Sequence, residues 1–301
     1  ALHTHKVIFF RDQEIGHAEQ IAFARRFGKV TPAHPHEEEP PEGFPEILPI
    51  DSRRYERNLG RKRTMYQDGR TPASSVRANM QFMLAELSRE QFESLEPTFR
   101  DIQAYLKSLK PPKYPFPIDQ ARAARGQQVF EANCAKCHGT YGPNGEYPNV
   151  IVELDRIGTD RARAEGLSDA LVAHYNSSWF GQETQVEPLV GYQAPPLDGV
   201  WATAPYLHNG SVPTVEALLK SSERPKVFLR PPSTAFEHYD KDRLGWKSVE
   251  LTPDRPASLA ERKQKRVVDT SQWGLGNGGH PFGDRLTDEE RRAVIEYLKT
   301  L

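Results

Sequence analysis

The stretch Cys134-Ala135-Lys136-Cys137-His138 is the part of the chain on which the fold reading turns. It contains the chain's 2 cysteines, three positions apart, with a histidine directly after the second. C-x-x-C-H is the pattern of covalent haem attachment, in which both thiols reach the vinyl groups of one porphyrin and the histidine is aimed at the iron. The other uses of a C-x-x-C pair need a different context. A thioredoxin-like redox pair sits beside a βαβ pattern, and none surrounds residue 134. A zinc site built from cysteine pairs needs a second pair, and there are no further cysteines. A disulfide between positions three apart closes too short a loop to stabilise much. The expected cofactor is therefore one covalent haem c, held by Cys134 and Cys137, with His138 as an iron ligand.

Bulk properties narrow the setting. A length of 301 residues allows two ordinary domains, or one domain with an extension. A net charge of −1 offers no basic surface for nucleic acid or for an anionic membrane. Only 37% of residues are hydrophobic and 25 are proline, which predicts a loop-rich fold whose core a buried macrocycle would partly fill. No apolar run approaches the ~20 residues needed to span a bilayer. Haem attachment to C-x-x-C-H takes place outside the bacterial cytoplasm. A periplasmic or otherwise exported location is expected, with a leader outside the sequence that begins at Ala1.

The pattern along the chain divides it into 1–63, 64–117 and 118–301. Lys6-Val7-Ile8-Phe9-Phe10 is a β-prone apolar run. From His17 to Phe27, residues Ile21, Ala22, Ala24 and Phe27 fall at helical spacing before Gly28. Pro32–Pro45 reads as an extended loop, Ile47–Ile50 as a short strand, and Arg53–Arg63 as a solvated basic linker. Residues 64–117 form a helical linker region. There Ser88-Arg89-Glu90-Gln91 is a capping box, and Phe92, Leu95, Phe99, Ile102, Leu106 and Leu109 recur at helical spacing across Pro97. Asp119 is the expected N-cap of a helix that runs to Asn133, with Gly126, Val129 and Phe130 on its packing face. Beyond the haem motif the chain reads mostly as loop, with short helices at Ser168–Tyr175 and Thr214–Lys220. A final helix starts at the capping box Thr287–Glu290 and carries Val294, Ile295, Leu298 and Leu301 on one side. A helix before the haem motif and another at the C-terminus form the skeleton of a c-type cytochrome domain. The fold class expected is mainly α: a cytochrome c-like, loop-rich haem domain with a short α/β N-terminal fragment.

Two resemblances extend this reading. From about residue 74 onward the chain resembles the C-terminal haem domain of a bacterial multi-haem cytochrome family. That family is related to the di-haem cytochrome c peroxidases and, more closely, to the di-haem rubber oxygenases. The residues that carry the likeness are Leu95–Ile102, Tyr114-Pro115-Phe116-Pro117, Cys134–Gly142 and Ala194–Ser211 with its core Thr203-Ala204-Pro205-Tyr206-Leu207-His208-Asn209-Gly210. Residues 1–63 resemble the start of the taurine dioxygenase family of iron- and 2-oxoglutarate-dependent oxygenases. Here Lys6–Gln13, Ala22–Gly28 and Leu48–Arg53 carry the likeness. Such oxygenases hold iron with an H-x-D pair and a distant histidine. No H-x-D follows in this region, so the fragment is expected to be inactive. Cut from a larger sheet, it is also expected to be loosely docked or disordered.

The second axial ligand decides the chemistry. The 3 methionines, Met65, Met80 and Met83, all lie upstream of the haem motif, against a small-cytochrome His/Met site. Among downstream histidines, His280 lies in Gly276-Asn277-Gly278-Gly279-His280-Pro281-Phe282-Gly283, and glycines let a loop approach a porphyrin face closely. The rubber oxygenase resemblance implies a histidine at such a late position, hence bis-histidine ligation by His138 and His280. His208 stays open as the alternative ligand, or as a hydrogen-bonding group near the cofactor. Trp201 and Tyr206 are candidates to line the pocket, while His174 and His238 read as exposed polar residues. The expected function is single-electron transfer to or from a small redox protein or a second haem domain. An alternative is a peroxidase- or oxygenase-like enzyme with an open iron site, and a third is an inactive dioxygenase fragment with an attached tail.

Overall fold

The protein is described here from a computed structural model that covers residues 15–30, 42–45, 76–77, 80, 87–165, 169–182, 185–187, 191–263 and 266–301. The chain separates into two compact units, 1–58 and 59–301. In the first unit, helix α1 (His17–Ala24) buries Ile21 and runs through a turn to Gly28, where the apolar spacing ends. The expected strands at Lys6–Phe10 and Ile47–Ile50, most of the Pro32–Pro45 loop and the Arg53–Arg63 stretch lie outside the described residues, as does most of the fragment expected to be loosely docked.

The second unit begins with two helices split near Pro97. Helix α2 (Arg89–Glu93) starts at Ser88, whose hydroxyl accepts from the Gln91 N–H while the Gln91 side chain accepts from the Ser88 N–H. Helix α3 (Glu96–Ser108) takes Pro97 in its first turn, where a missing N–H is harmless. Phe92 and Phe99 are buried with Val76 and pack on Met80, Leu87, Leu95 and Trp179. The expected apolar stripe does not continue, because Ile102, Leu106 and Leu109 are exposed. Helical spacing identified the helix there but not a burial partner.

Helix α4 (Gln120–Asn133) begins at Asp119, whose carboxylate accepts from the Arg122 N–H at 2.9 Å. One further turn, α5 (Ala135–His138), carries the C-x-x-C-H residues. Next come strand β1 (Ile151–Glu153), α6 (Leu154–Ile157), α7 (Ala162–Glu165), α8 (Asp169–Ser177), β2 (Gly191–Gln193) and α9 (Val215–Leu219). The rest comprises β3 (Val227–Leu229), β4 (Tyr239–Asp240), β5 (Gly245–Trp246), β6 (Val249–Glu250), α10 (Leu259–Lys263), β7 (Val267–Asp269) and α11 (Asp288–Leu298). Beyond residue 138 the sequence reads as mostly loop with short helices at Ser168–Tyr175 and Thr214–Lys220; α8 and α9 match those helices, and the short strands are additional. β1 pairs antiparallel with β2, β4 with β5, and β3 lies between β6 and β7. Runs of two or three residues are too short to show a period of two, so alternation could not reveal them.

The main core forms where α4 crosses α11. Gly126 is buried, and a methyl group at that position would collide with the carbonyl oxygen of Ala293. Glycine is what lets the two backbones touch. Around the crossing, Phe130, Val294, Ile295, Tyr297 and Leu298 pack with Val212, Val215, Leu219 and Leu244. Glu296 reaches from α11 to accept the Asp119 N–H at 2.7 Å, and its other oxygen accepts from Lys299 Nζ at 2.7 Å. The second capping box is formed as expected, with Thr287 and Glu290 bonded reciprocally. Buried Arg291 donates to the carbonyls of Leu219 at 3.1 Å and Leu286 at 2.8 Å, joining α11 to α9 and to the loop before it.

Substituting Gly126→Ala should force α4 and α11 apart. Overpacking of this kind destabilises by about 1–3 kcal/mol. A urea midpoint measured on the mature protein should fall accordingly, and an unchanged midpoint would show that the helices do not touch at this position.

Candidate haem site

The local chain path puts the motif residues on one face. Helix α4 ends at Cys134, and α5 follows at once, with the His138 N–H bonded to the Cys134 carbonyl at 3.0 Å. In one helical turn, positions i, i+3 and i+4 share a side, so Cys134, Cys137 and His138 project together. Both thiols are free and half-buried. Cys134 packs against the main core that contains Phe130, Trp201 and Tyr206. Cys137 packs against a second cluster built from Val152, Ile157, Ala164, Tyr192 and Ala194, edged by Phe282. Burial pushes the Cys134 thiol up to about 11, so it is protonated at neutral pH.

The orientation of His138 is fixed by backbone. Its Nδ1 lies 2.9 Å from the carbonyl oxygen of Pro195. A carbonyl only accepts, so the proton sits on Nδ1 and Nε2 keeps its lone pair for a metal. Burial holds the imidazole below the ordinary histidine range and so favours the neutral form that ligates. Tyr141 locks the same two segments. Its hydroxyl donates to the His138 carbonyl at 2.9 Å and accepts from the Leu197 N–H at 2.7 Å. Gly139, at φ 82, turns the chain where a Cβ would strike the Glu146 carbonyl.

The ring that faces His138 is His280, with centroids 6.2 Å apart and planes inclined at 56°. His280 is left-handed at φ 47, follows Gly279 at φ 77, and bonds its N–H to the Ile157 carbonyl at 2.7 Å. At Gly279 a Cβ would run into the Gly158 carbonyl carbon and the Thr159 nitrogen, so the loop lies directly on that turn. The Nδ1 of His280 is buried with no hydrogen-bond partner. Burial first, and His138 second, push its imidazole down to about 4. Asp160 accepts from the Gly276 N–H at 3.0 Å, Asn209 donates to the Gly274 and Gly276 carbonyls, and Ser211 donates to Gly276 as well. Phe282 meets the His280 ring edge-on at 5.2 Å.

The other sequence candidates are placed differently. His208 lies flat on Tyr192, with ring centroids 4.2 Å apart, and makes no ring contact with His138. Burial, then Arg163, push its imidazole down to about 4. Trp201 is buried and donates Nε1 to the Pro112 carbonyl at 2.8 Å, while Tyr206 donates its hydroxyl to Val200 at 3.1 Å. His174 is exposed, and His238 is partly buried beside Glu237.

A haem iron fits these residues. A metal–imidazole bond is about 2 Å long, so two imidazoles on opposite sides of one metal put their centroids roughly 6 Å apart. The observed 6.2 Å matches that separation, and both rings are partly buried. Among the described residues no group of three or more His, Cys, Asp or Glu gathers to hold a metal. Held between these two imidazoles, an iron would have its remaining coordination positions left for a porphyrin to fill. Tyr141 and the Pro195 carbonyl were not read from the sequence as site groups. Their only sequence signal was their position inside the resemblance motifs.

Comparison with known proteins relates the two ends of the chain to different families. Residues 121–176 match the family described as cytochrome c oxidase, cbb3-type, subunit III, and residues 191–229 match the family described as RoxA-like, cytochrome c-like. Residues 1–85 match the taurine catabolism dioxygenase TauD, TfdA family, past the expected boundary at residue 63. The chain thus joins an N-terminal segment similar to TauD to later segments similar to cytochrome c-like families. Two similar proteins come from Sinorhizobium fredii (strain NBRC 101917 / NGR234). Uncharacterized protein y4iJ is 32% identical over 262 residues, covering 64% of this chain and 41% of its own length. Uncharacterized protein y4iM is 32% identical over 240 residues, covering 65% of this chain and 52% of its own length. The chain therefore spans about half the length of these relatives or less. No helix among the described residues is long and apolar enough to cross a membrane.

Tyr141→Phe should leave the Leu197 N–H and the His138 carbonyl unpaired. An unsatisfied buried backbone group costs about 1–3 kcal/mol, which a urea titration of the mature protein should detect.

Proposed function

We propose that residues 118–301 form a c-type cytochrome domain that holds one covalent haem and transfers single electrons. Cys134 and Cys137 would hold the porphyrin by thioether bonds, and His138 and His280 would hold the iron from its two sides. The observation that carries the reading is the pair of partly buried imidazoles of His138 and His280, whose ring centroids lie 6.2 Å apart. Held by both histidines, the bound group would supply reversible one-electron redox chemistry and would offer no open site for peroxide or oxygen.

The chain's own residues set the conditions for that chemistry. The Pro195 carbonyl keeps the His138 proton on Nδ1, which makes the imidazole a stronger donor. Histidine in place of methionine on the second side favours a lower reduction potential. The two apolar clusters against which Cys134 and Cys137 pack would give a bound macrocycle apolar surroundings. His208, stacked on Tyr192, is assigned to the wall of the second cluster, and Trp201 and Tyr206 to that of the first. An exported, periplasmic protein is the setting that suits thioether attachment, and a small redox protein or a second haem domain is the partner that suits a closed iron. The TauD-like segment is assigned no oxygenase activity, since residues 1–85 contain no H-x-D.

Matured protein should keep its haem after acid–acetone extraction, and its ferric spectrum should be low-spin and unchanged by cyanide. His280→Ala should turn that spectrum high-spin and let the ferrous form bind carbon monoxide. Colourless mature protein would refute haem binding, and a high-spin wild type would favour an enzyme with an open iron.

A further inference from the structure

We infer that Arg224 is the positioning residue that sets His280 opposite His138. The inference rests on the reading of His280 as an axial ligand. Arg224 follows α9 and is 9% exposed. Its Nε and Nη2 donate to the Ala217 and Leu218 carbonyls of α9 at 3.1 and 2.9 Å. Its Nη1 donates to the carbonyls of Asn277 at 2.6 Å and Gly279 at 2.7 Å, and Nη2 reaches the His280 carbonyl at 3.3 Å. A guanidinium has five N–H donors, and here five backbone carbonyls receive them. None of these acceptors is a carboxylate.

A buried cation without a hydrogen-bonded carboxylate is an expensive way to fill space, so an apolar side chain would serve better if packing were the only need. What Arg224 adds is convergence. Three carbonyls of one glycine-rich loop are drawn to a single planar group, which in turn is fixed to a helix. The loop needs this constraint. Gly276, Gly278 and Gly279 give it little stiffness of its own, and His280 sits at φ 47, a region unfavourable for a residue with a Cβ. Asp160, Asn209 and Ser211 hold Gly274 and Gly276, the earlier part of the loop. Among the described residues, Arg224 is the side chain whose donors reach the carbonyls of Gly279 and His280 themselves.

Lysine cannot reproduce the arrangement, because an ammonium has three donors on a point charge and no planar fork. The test compares Arg224→Lys with His280→Ala, both as matured haem protein. Arg224→Lys is expected to show a high-spin fraction in the ferric spectrum and carbon monoxide binding in the ferrous form, with added imidazole restoring the low-spin spectrum. If His280→Ala turns high-spin while Arg224→Lys stays fully low-spin and inert to carbon monoxide, the role of Arg224 is overturned and the axial reading stands. If His280→Ala itself stays low-spin, the axial reading fails and this inference falls with it. Should Arg224→Lys not accumulate with haem, Arg224→Gln is measured in the same way. Failure of both to accumulate would mark Arg224 as a general folding residue and overturn the inference.

Discussion

The facing imidazoles of His138 and His280, with ring centroids 6.2 Å apart, are the constraint to which the segments around them answer. Neither ring is placed by a long element. His138 ends a single turn of helix, and His280 stands in a left-handed position within a glycine-rich loop. Each must therefore be fixed by bonds to distant backbone. On one side these run through the Pro195 carbonyl and the Tyr141 hydroxyl, and on the other through the Ile157 carbonyl and the Arg224 guanidinium. Burial keeps both rings uncharged, the state in which imidazole binds a metal.

A chain with so much loop has to satisfy many buried carbonyls without long ladders. Side-chain donors take that task here. Trp201 bonds the Pro112 carbonyl, Trp246 that of Ala204, and Tyr239 that of Trp201. Arg291 and Asn209 do the same at the edges of the His280 loop. These aromatic and basic groups add packing as well as bonds. That is how a sequence with 37% hydrophobic residues still builds a continuous cluster around α4 and α11.

The helix starts were legible because capping chemistry is local. Ser88 with Gln91, Asp119 with Arg122, and Thr287 with Glu290 each lie within one turn. The C-x-x-C-H motif stood out for a similar reason, since two thioethers and one iron bond would demand this fixed spacing. What depends on distant partners was not legible. The helical spacing of Ile102, Leu106 and Leu109 looked like a buried face, yet these side chains are exposed. The short strands show no period. His208 and His280 have the same side chain, and only the path of the loop over Gly158 separates the ring stacked on Tyr192 from the ring facing His138. Arg224 sits in Ser221-Ser222-Glu223-Arg224-Pro225-Lys226, which reads as an ordinary charged surface turn.

The bond from Asp119 to Glu296 joins positions 177 residues apart, and the contact of Gly126 with Ala293 spans a similar stretch. The helix that leads into Cys134 thus leans on a segment far downstream of it. Closure of this core is a late event with high contact order, and a nascent chain short of Leu298 has no partner for α4. Until α11 has been made and docks, the turn that carries Cys134 and Cys137 lacks the core on which it closes.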